Sequence, residues 1–107
     1  MSPLERTTQV FTALASVTRC RIISLLLKRA QPAGVLTEAL DLRQSNVANH
    51  LALLREAGVV IAERQGRGVV YRLSERDSPL IAAMWKQLGL HSDAVISADG
   101  WRANSIG

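Results

Sequence analysis

The chain has 107 residues, 48% of them hydrophobic but only 4% aromatic, and carries a net charge of +4 with a pI of about 10.2. That is one small domain, with a core built from Leu, Val, Ile and Ala, and a charge that suits a polyanionic partner although many soluble domains are mildly basic. Cys20 is the only cysteine, which excludes an intramolecular disulfide and a multi-cysteine metal site within one chain.

Ser2-Pro3-Leu4-Glu5 is a capping-box pattern, with Ser2 as cap, Pro3 at the first helical position and Glu5 reaching back. The helix it opens carries Leu4, Val10, Phe11 and Leu14 at roughly helical spacing. Ser16 is the next N-cap. Behind it Val17, Ile22, Ile23, Leu25, Leu26 and Leu27 make a strongly apolar helix, with Arg19, Arg21, Lys28 and Arg29 on its polar side. Gln31-Pro32-Ala33-Gly34 is the clearest break. Val35–Leu40 reads as a short helix and Asp41-Leu42-Arg43 as a tight turn.

A further helix runs from about Gln44 to Ala57. With Val47 at the centre of its buried face, Leu51 and Leu54 fall within about 40° of it at the helical period. Ser45, Asn49, Ala52 and Glu56 then point the opposite way, with Asn46 to one side and Gln44 at the leading end. Two β-rich runs follow, Val59–Arg64 and Val69–Leu73, joined by Gln65-Gly66-Arg67-Gly68. Ser78-Pro79 looks like N-cap and first position of a last helix to about Leu90, lined on one side by Leu80, Ile81, Met84, Trp85 and Leu88. Residues 91–107 form a polar tail of small residues without sustained periodicity, in which Trp101 is the one candidate anchor.

A helix burying one face and showing amides on the other, followed by an Arg-tipped hairpin, outlines a winged helix-turn-helix: mainly α with a small β-hairpin. Gln and Asn amides match the N6/N7 edge of adenine, and Ser serves either kind of base edge. An ordinary solvated polar face reads the same way in isolation. The candidate DNA-binding set is Arg43, Gln44, Ser45, Asn46, Asn49 and Arg55 on or beside the helix, with Arg64, Arg67 and Arg72 on the hairpin. Leu4, Phe11 and Leu14 of the first helix and Leu80, Met84, Trp85 and Leu88 of the last are too many apolar groups for so small a domain to hide, and predict a homodimer interface.

Leu36-Thr37-Glu38-Ala39-Leu40, Arg43-Gln44-Ser45-Asn46-Val47 and His50-Leu51-Ala52-Leu53-Leu54-Arg55-Glu56-Ala57-Gly58 resemble the ArsR/SmtB family of bacterial repressors. Thr18-Arg19 opening the second helix, and Gly66-Arg67 with Tyr71-Arg72-Leu73 in the wing, extend the resemblance over roughly residues 10 to 90. It implies a homodimeric winged helix-turn-helix that represses transcription at a double-stranded operator. The first and last helices make the dimer in that family, and an inducer releases the DNA. The domain is then residues 1–90, for DNA binding and dimerisation, with 91–107 as a tail. The position before Gln44 is usually Ser in the family. Here it is Arg43, which cannot cap a helix and either reaches a phosphate or marks a lost cap.

Family members that sense arsenic or metals at the third helix carry Cys-x-Cys there. Alignment on Gln44 and His50 puts Pro32 and Gly34 at those two positions, so the soft ligands are missing. The family's second site uses Asp and His on the last helix. Only His91 and Asp93 fall nearby, which leaves a solvated histidine or a loose zinc site shared across a dimer. No metal and no cofactor is expected. His50 reads as a packed, hydrogen-bonded histidine. Cys20 reads either as a buried, inert thiol or as a redox-sensing one activated by Arg19 and Arg21.

Two other functions remain open: a winged-helix protein-interaction module that has lost DNA binding, and a redox-responsive repressor acting through Cys20. No nucleophile–base pair, carboxylate pair or phosphate loop is present, so an enzyme is not expected. Glu5 and Arg6 interrupt the N-terminus before any apolar run, and no segment approaches a bilayer span, so a cytoplasmic, membrane-free protein is expected.

Overall fold

The computed structural model describes residues 1–90, so the expectations for His91, Asp93, Trp101 and the rest of the tail lie outside the described residues. Five helices and three short strands follow in the order α1 (Pro3–Leu14), α2 (Val17–Lys28), β1 (Gln31–Pro32), α3 (Ala33–Leu40), α4 (Gln44–Glu56), β2 (Val60–Gln65), β3 (Gly68–Leu73) and α5 (Ser78–Gln87).

The helix starts obey local chemistry. Glu5 N–H donates to Ser2 Oγ at 3.1 Å while Ser2 N–H donates to Glu5 Oε1 at 3.0 Å, the reciprocal capping box. Ser16 Oγ accepts from Arg19 N–H at 3.2 Å at the head of α2. The start of α5 differs from expectation. Ser78 is the first helical residue and Asp77, without a side-chain cap bond, holds the N-cap position; Ser74 Oγ accepts from Asp77 N–H at 3.1 Å and donates to Asp77 Oδ2 at 2.8 Å, so a turn precedes the helix proper. The helix also stops before Leu90. Gly89 takes φ 69°, and the Leu90 and Gly89 N–H groups bond back to Trp85 O (2.8 Å) and Lys86 O (3.1 Å), a Schellman closure.

The sheet is three-stranded and antiparallel, ordered β1-β3-β2, rather than a lone hairpin. β1 takes up the break after α2: Gln31 faces Tyr71 and Pro32 faces Val70. Pro32 lacks an N–H, which an edge strand tolerates. Buried Gln31 donates through Nε2 to Leu25 O at 2.8 Å, satisfying a carbonyl in the last turn of α2. α3 then begins at Ala33, two residues earlier than expected, and Gly34 lies within it.

Ile22 and Ile23 of α2, Leu36 and Leu40 of α3, Val47 and Leu54 of α4, Val59 before β2 and Ile81 of α5 are fully buried. α2 is the hub of this core, packing on α1, α3, α4 and β3. α1 is tied to the start of α5 by Arg6, whose Nη2 donates to buried Asp77 Oδ2 at 2.6 Å across 71 residues. Among the described residues no single helix is long and apolar enough to cross a membrane.

Candidate nucleic-acid interface

α3 and α4 form the helix-turn-helix. Asp41 closes α3 in the left-handed region at φ 55°, a conformation that Asp tolerates better than most residues. Its N–H reaches Glu38 O at 3.3 Å and that of Leu42 reaches Thr37 O at 3.4 Å, so the chain reverses within the expected turn.

α4 is held by Val47, Leu51 and Leu54, all 2% exposed or less. Gln44, Ser45, Asn46 and Asn49 are exposed together with Arg43 before them and Arg55 in the last turn. Arg43 stands at the N-cap position with no side-chain cap bond, and the first turn of α4 holds no acidic residue. The positive end of the helix dipole and a guanidinium therefore add at this end, where an anion is favoured.

The wing is a two-residue hairpin. Gln65 faces Gly68 in register, Gly66 takes φ 62°, and Arg67 does not share the positive φ, the glycine-first pattern of a type II′ turn. Arg64 and Arg67 are exposed at the tip. Arg72 departs from the expected wing set. Alternation along β3 puts it on the opposite face of the ribbon from Arg64. Its Nε donates to Glu63 Oε1 at 2.5 Å and its Nη1 to Leu73 O at 3.2 Å. Arg72 is thus half-buried and ion-paired at the base of the hairpin.

Leu4 and Phe11 of α1 are 76% and 56% exposed, and Leu80 and Leu88 at α5 are 51% and 65% exposed. Leu14 and Met84 are half-buried against the core. Trp85 is not among the exposed residues: it is 5% exposed and seals the protomer's own core.

The surroundings of Cys20 favour, on balance, the inert thiol. Burial pushes the thiol above its ordinary value, outweighing the Ser16 backbone and Arg19. Sγ is occupied by Leu14 O at 3.0 Å. Arg19, expected to activate it, is turned elsewhere. Its Nε donates to Ala13 O at 2.6 Å, its Nη2 to Thr12 O at 3.3 Å and its Nη1 to His50 Nδ1 at 3.3 Å. An arginine only donates, so Nδ1 accepts and the imidazole proton sits on Nε2. Burial, then Arg19, holds the His50 pKa below its usual value. Arg19 is thus a junction residue that sequence reasoning left on a polar face; its place in the Thr18-Arg19 pair was the available signal. Pro32 and Gly34 lie at the head of α3, and among the described residues no cluster of metal-ligating side chains forms.

Residues 16–62 match the family model described as "Bacterial regulatory protein, arsR family". The transcriptional regulator CmtR of Mycobacterium tuberculosis is 47% identical over 72 residues, 67% of this chain but only 59% of CmtR, so the chain spans about three-fifths of that relative's length. The arsenic resistance transcriptional regulator ArsR1 of Pseudomonas putida is 35% identical over 99 residues, 92% of this chain and 77% of the relative. Among solved structures, the homodimeric winged helix-turn-helix DNA-binding domain (fragment 1–100) of Mb0332 from Mycobacterium bovis superposes with a TM-score of 0.72 over 80% of each chain at 24% identity, which establishes the fold. With its helix-turn-helix, its wing and a relative matched along most of both chains, the chain belongs to the arsR family of bacterial regulatory proteins, a family of regulators and not of enzymes.

Proposed function

We propose that the chain is a homodimeric transcriptional repressor that binds operator DNA sequence-specifically. The observation that carries this reading is the polar row Gln44, Ser45, Asn46 and Asn49, exposed on a helix that buries Val47, Leu51 and Leu54 on its other side. α4 enters the major groove with its leading end and reads base edges through those four side chains. Arg43 and Arg55 hold flanking phosphates, and Arg64 and Arg67 at the wing tip hold the neighbouring backbone or minor groove. The basic charge of the chain supports a polyanionic partner. Leu4, Phe11, Leu80 and Leu88, flanked by Leu14 and Met84, cover one another across a two-fold axis formed by α1 and α5.

The signal that releases DNA is not a metal held by a thiolate pair at α3. Pro32 and Gly34 stand at those positions, and Cys20, the only thiol, faces a carbonyl. Selection of random duplexes on the purified protein tests the main reading. Enrichment of a sequence with two related half-sites is expected. A pool that stays random after repeated rounds would leave a winged-helix protein-interaction module as the better account.

A further inference from the structure

α1 and α4 do not close on one another. A cleft of about 320 Å³ separates them, lined by Thr8, Gln9 and Thr12 on one side and Leu53 and Glu56 on the other, with Arg19 against it. α1 packs on α2 and α2 packs on α4, so the relation between the outer two helices passes through the middle one. Arg19, in the first turn of α2, hydrogen-bonds to both. Two of its nitrogens take carbonyls in the last turn of α1, which has no basic residue of its own there, and a third takes the imidazole of α4. A planar guanidinium presents its donors at fixed angles, so three simultaneous bonds fix a geometry as well as a distance.

We infer that Arg19 is a positioning residue for operator binding: it sets the angle between the dimer helix α1 and the recognition helix α4, and with it the separation of the two recognition helices in the dimer. This rests on the homodimeric DNA-binding reading above and adds to it the residue that fixes half-site spacing. The geometry is demanding. A dimer reads half-sites about one helical turn apart, roughly 34–36 Å. α4, with 13 residues, is about 20 Å long, so a swing of about 10° carries its far end about 3.5 Å, one base-pair step. A clamp that tolerates less than that discriminates spacing; its loss relaxes spacing without touching a base contact.

The test uses the full chain and the duplex that the wild type selects from random DNA. Affinity is measured on that duplex, on a duplex holding one half-site, and on versions whose half-sites are a base pair closer or farther apart. Arg19→Ala is expected to lose about tenfold on the two-half-site duplex, the scale of a lost charged hydrogen bond. Its half-site binding should be unchanged and its discrimination against altered spacing reduced. His50→Ala, which removes only the α4 end of the clamp and spares the α1 cap, should behave the same way even if Arg19→Ala folds poorly. His50→Gln, whose side-chain carbonyl accepts the same N–H, should restore discrimination. Equal losses on half-site and full site for His50→Ala, or unaltered spacing preference in both alanine variants, overturn the inference alone. A wild type that selects no two-half-site duplex overturns the DNA-binding reading and this inference with it.

Discussion

The Trp85 indole Nε1 donates to Ser24 Oγ at 2.7 Å, joining α5 to α2 inside the core across 61 residues of sequence. Both side chains are buried, Ser24 completely. The same hydroxyl donates to Cys20 O at 2.9 Å, so it serves both neighbours. Ser24→Ala leaves a buried indole N–H without its acceptor, at a cost of about 1–3 kcal/mol. Trp85→Phe with Ser24→Ala removes both ends, and the double variant should be less destabilised than the sum of the singles. Urea unfolding of the four proteins measures this coupling; strict additivity would mean the bond does not matter.

The apolar surface should hold the dimer without Trp85. Phe11→Glu and Leu88→Glu place charges on side chains that are 56% and 65% exposed in the protomer, so folding should survive while association fails. Sedimentation at micromolar concentration should show wild-type dimers and monomers for both variants. A dimer that persists in both would place the interface elsewhere.

The helix and the wing should fail differently. Gln44→Ala and Asn49→Ala should each cost roughly 1–3 kcal/mol and relax preference at one operator position. Arg67→Ala should weaken all sequences alike and reduce the slope of log affinity against log salt by about 0.9. Arg72→Ala should leave that slope nearly intact, because Arg72 is already paired with Glu63. Titrations over a range of salt concentrations separate the two arginines; equal slope changes would return Arg72 to the DNA contacts.

The sign of the pH effect follows from His50. Its folded pKa lies below the ordinary value of 6.5, because burial first and Arg19 second disfavour the imidazolium. The unfolded chain therefore takes up the proton at higher pH than the folded one. The stabilisation is complete above about 6.5 and declines as pH falls through that value toward the lower folded pKa. Thermal unfolding should show stability falling on acidification in that window, and His50→Gln should flatten the profile. A slope of the same size in His50→Gln would assign it to other groups.

Cys20 should be sluggish. Iodoacetamide should alkylate it more slowly in the native protein than in the chain unfolded at the same pH, since burial keeps the thiolate scarce. Cys20→Ser should bind the selected duplex as the wild type does before and after mild peroxide. Rapid native-state labelling, or peroxide release that Cys20→Ser abolishes, would establish a redox switch.

Much of this was legible from the chain because it is written locally. The Ser2–Glu5 box, the Ser16 cap and the phase of Val47, Leu51 and Leu54 depend on residues within a turn or two. β1 was not, since two residues carry no period and one is proline. The head of α5 falls one residue from the expected Ser78 cap because Asp77 takes the N-cap position, held from α1 by Arg6 and from the preceding turn by Ser74. Amphipathic spacing put Trp85 beside Leu80 and Leu88, yet only the position of Ser24 on another helix tells that its ring turns inward. Sequence places Arg72 among the DNA contacts and Arg19 on a polar face beside Cys20, and neither pairing shows there for the same reason: their acceptors come from another strand or another helix.

The bond from Arg6 to Asp77 also sets an order in time. At roughly 5–20 residues per second of synthesis, the 71 positions that separate them take on the order of ten seconds to appear. For that interval α1 exists with Leu4 and Phe11 exposed, but without the carboxylate that fixes it against α5. Under the proposed α1–α5 interface, subunit pairing is thereby deferred until nearly the whole domain has been made, and a nascent chain would not capture a neighbour through half of that interface.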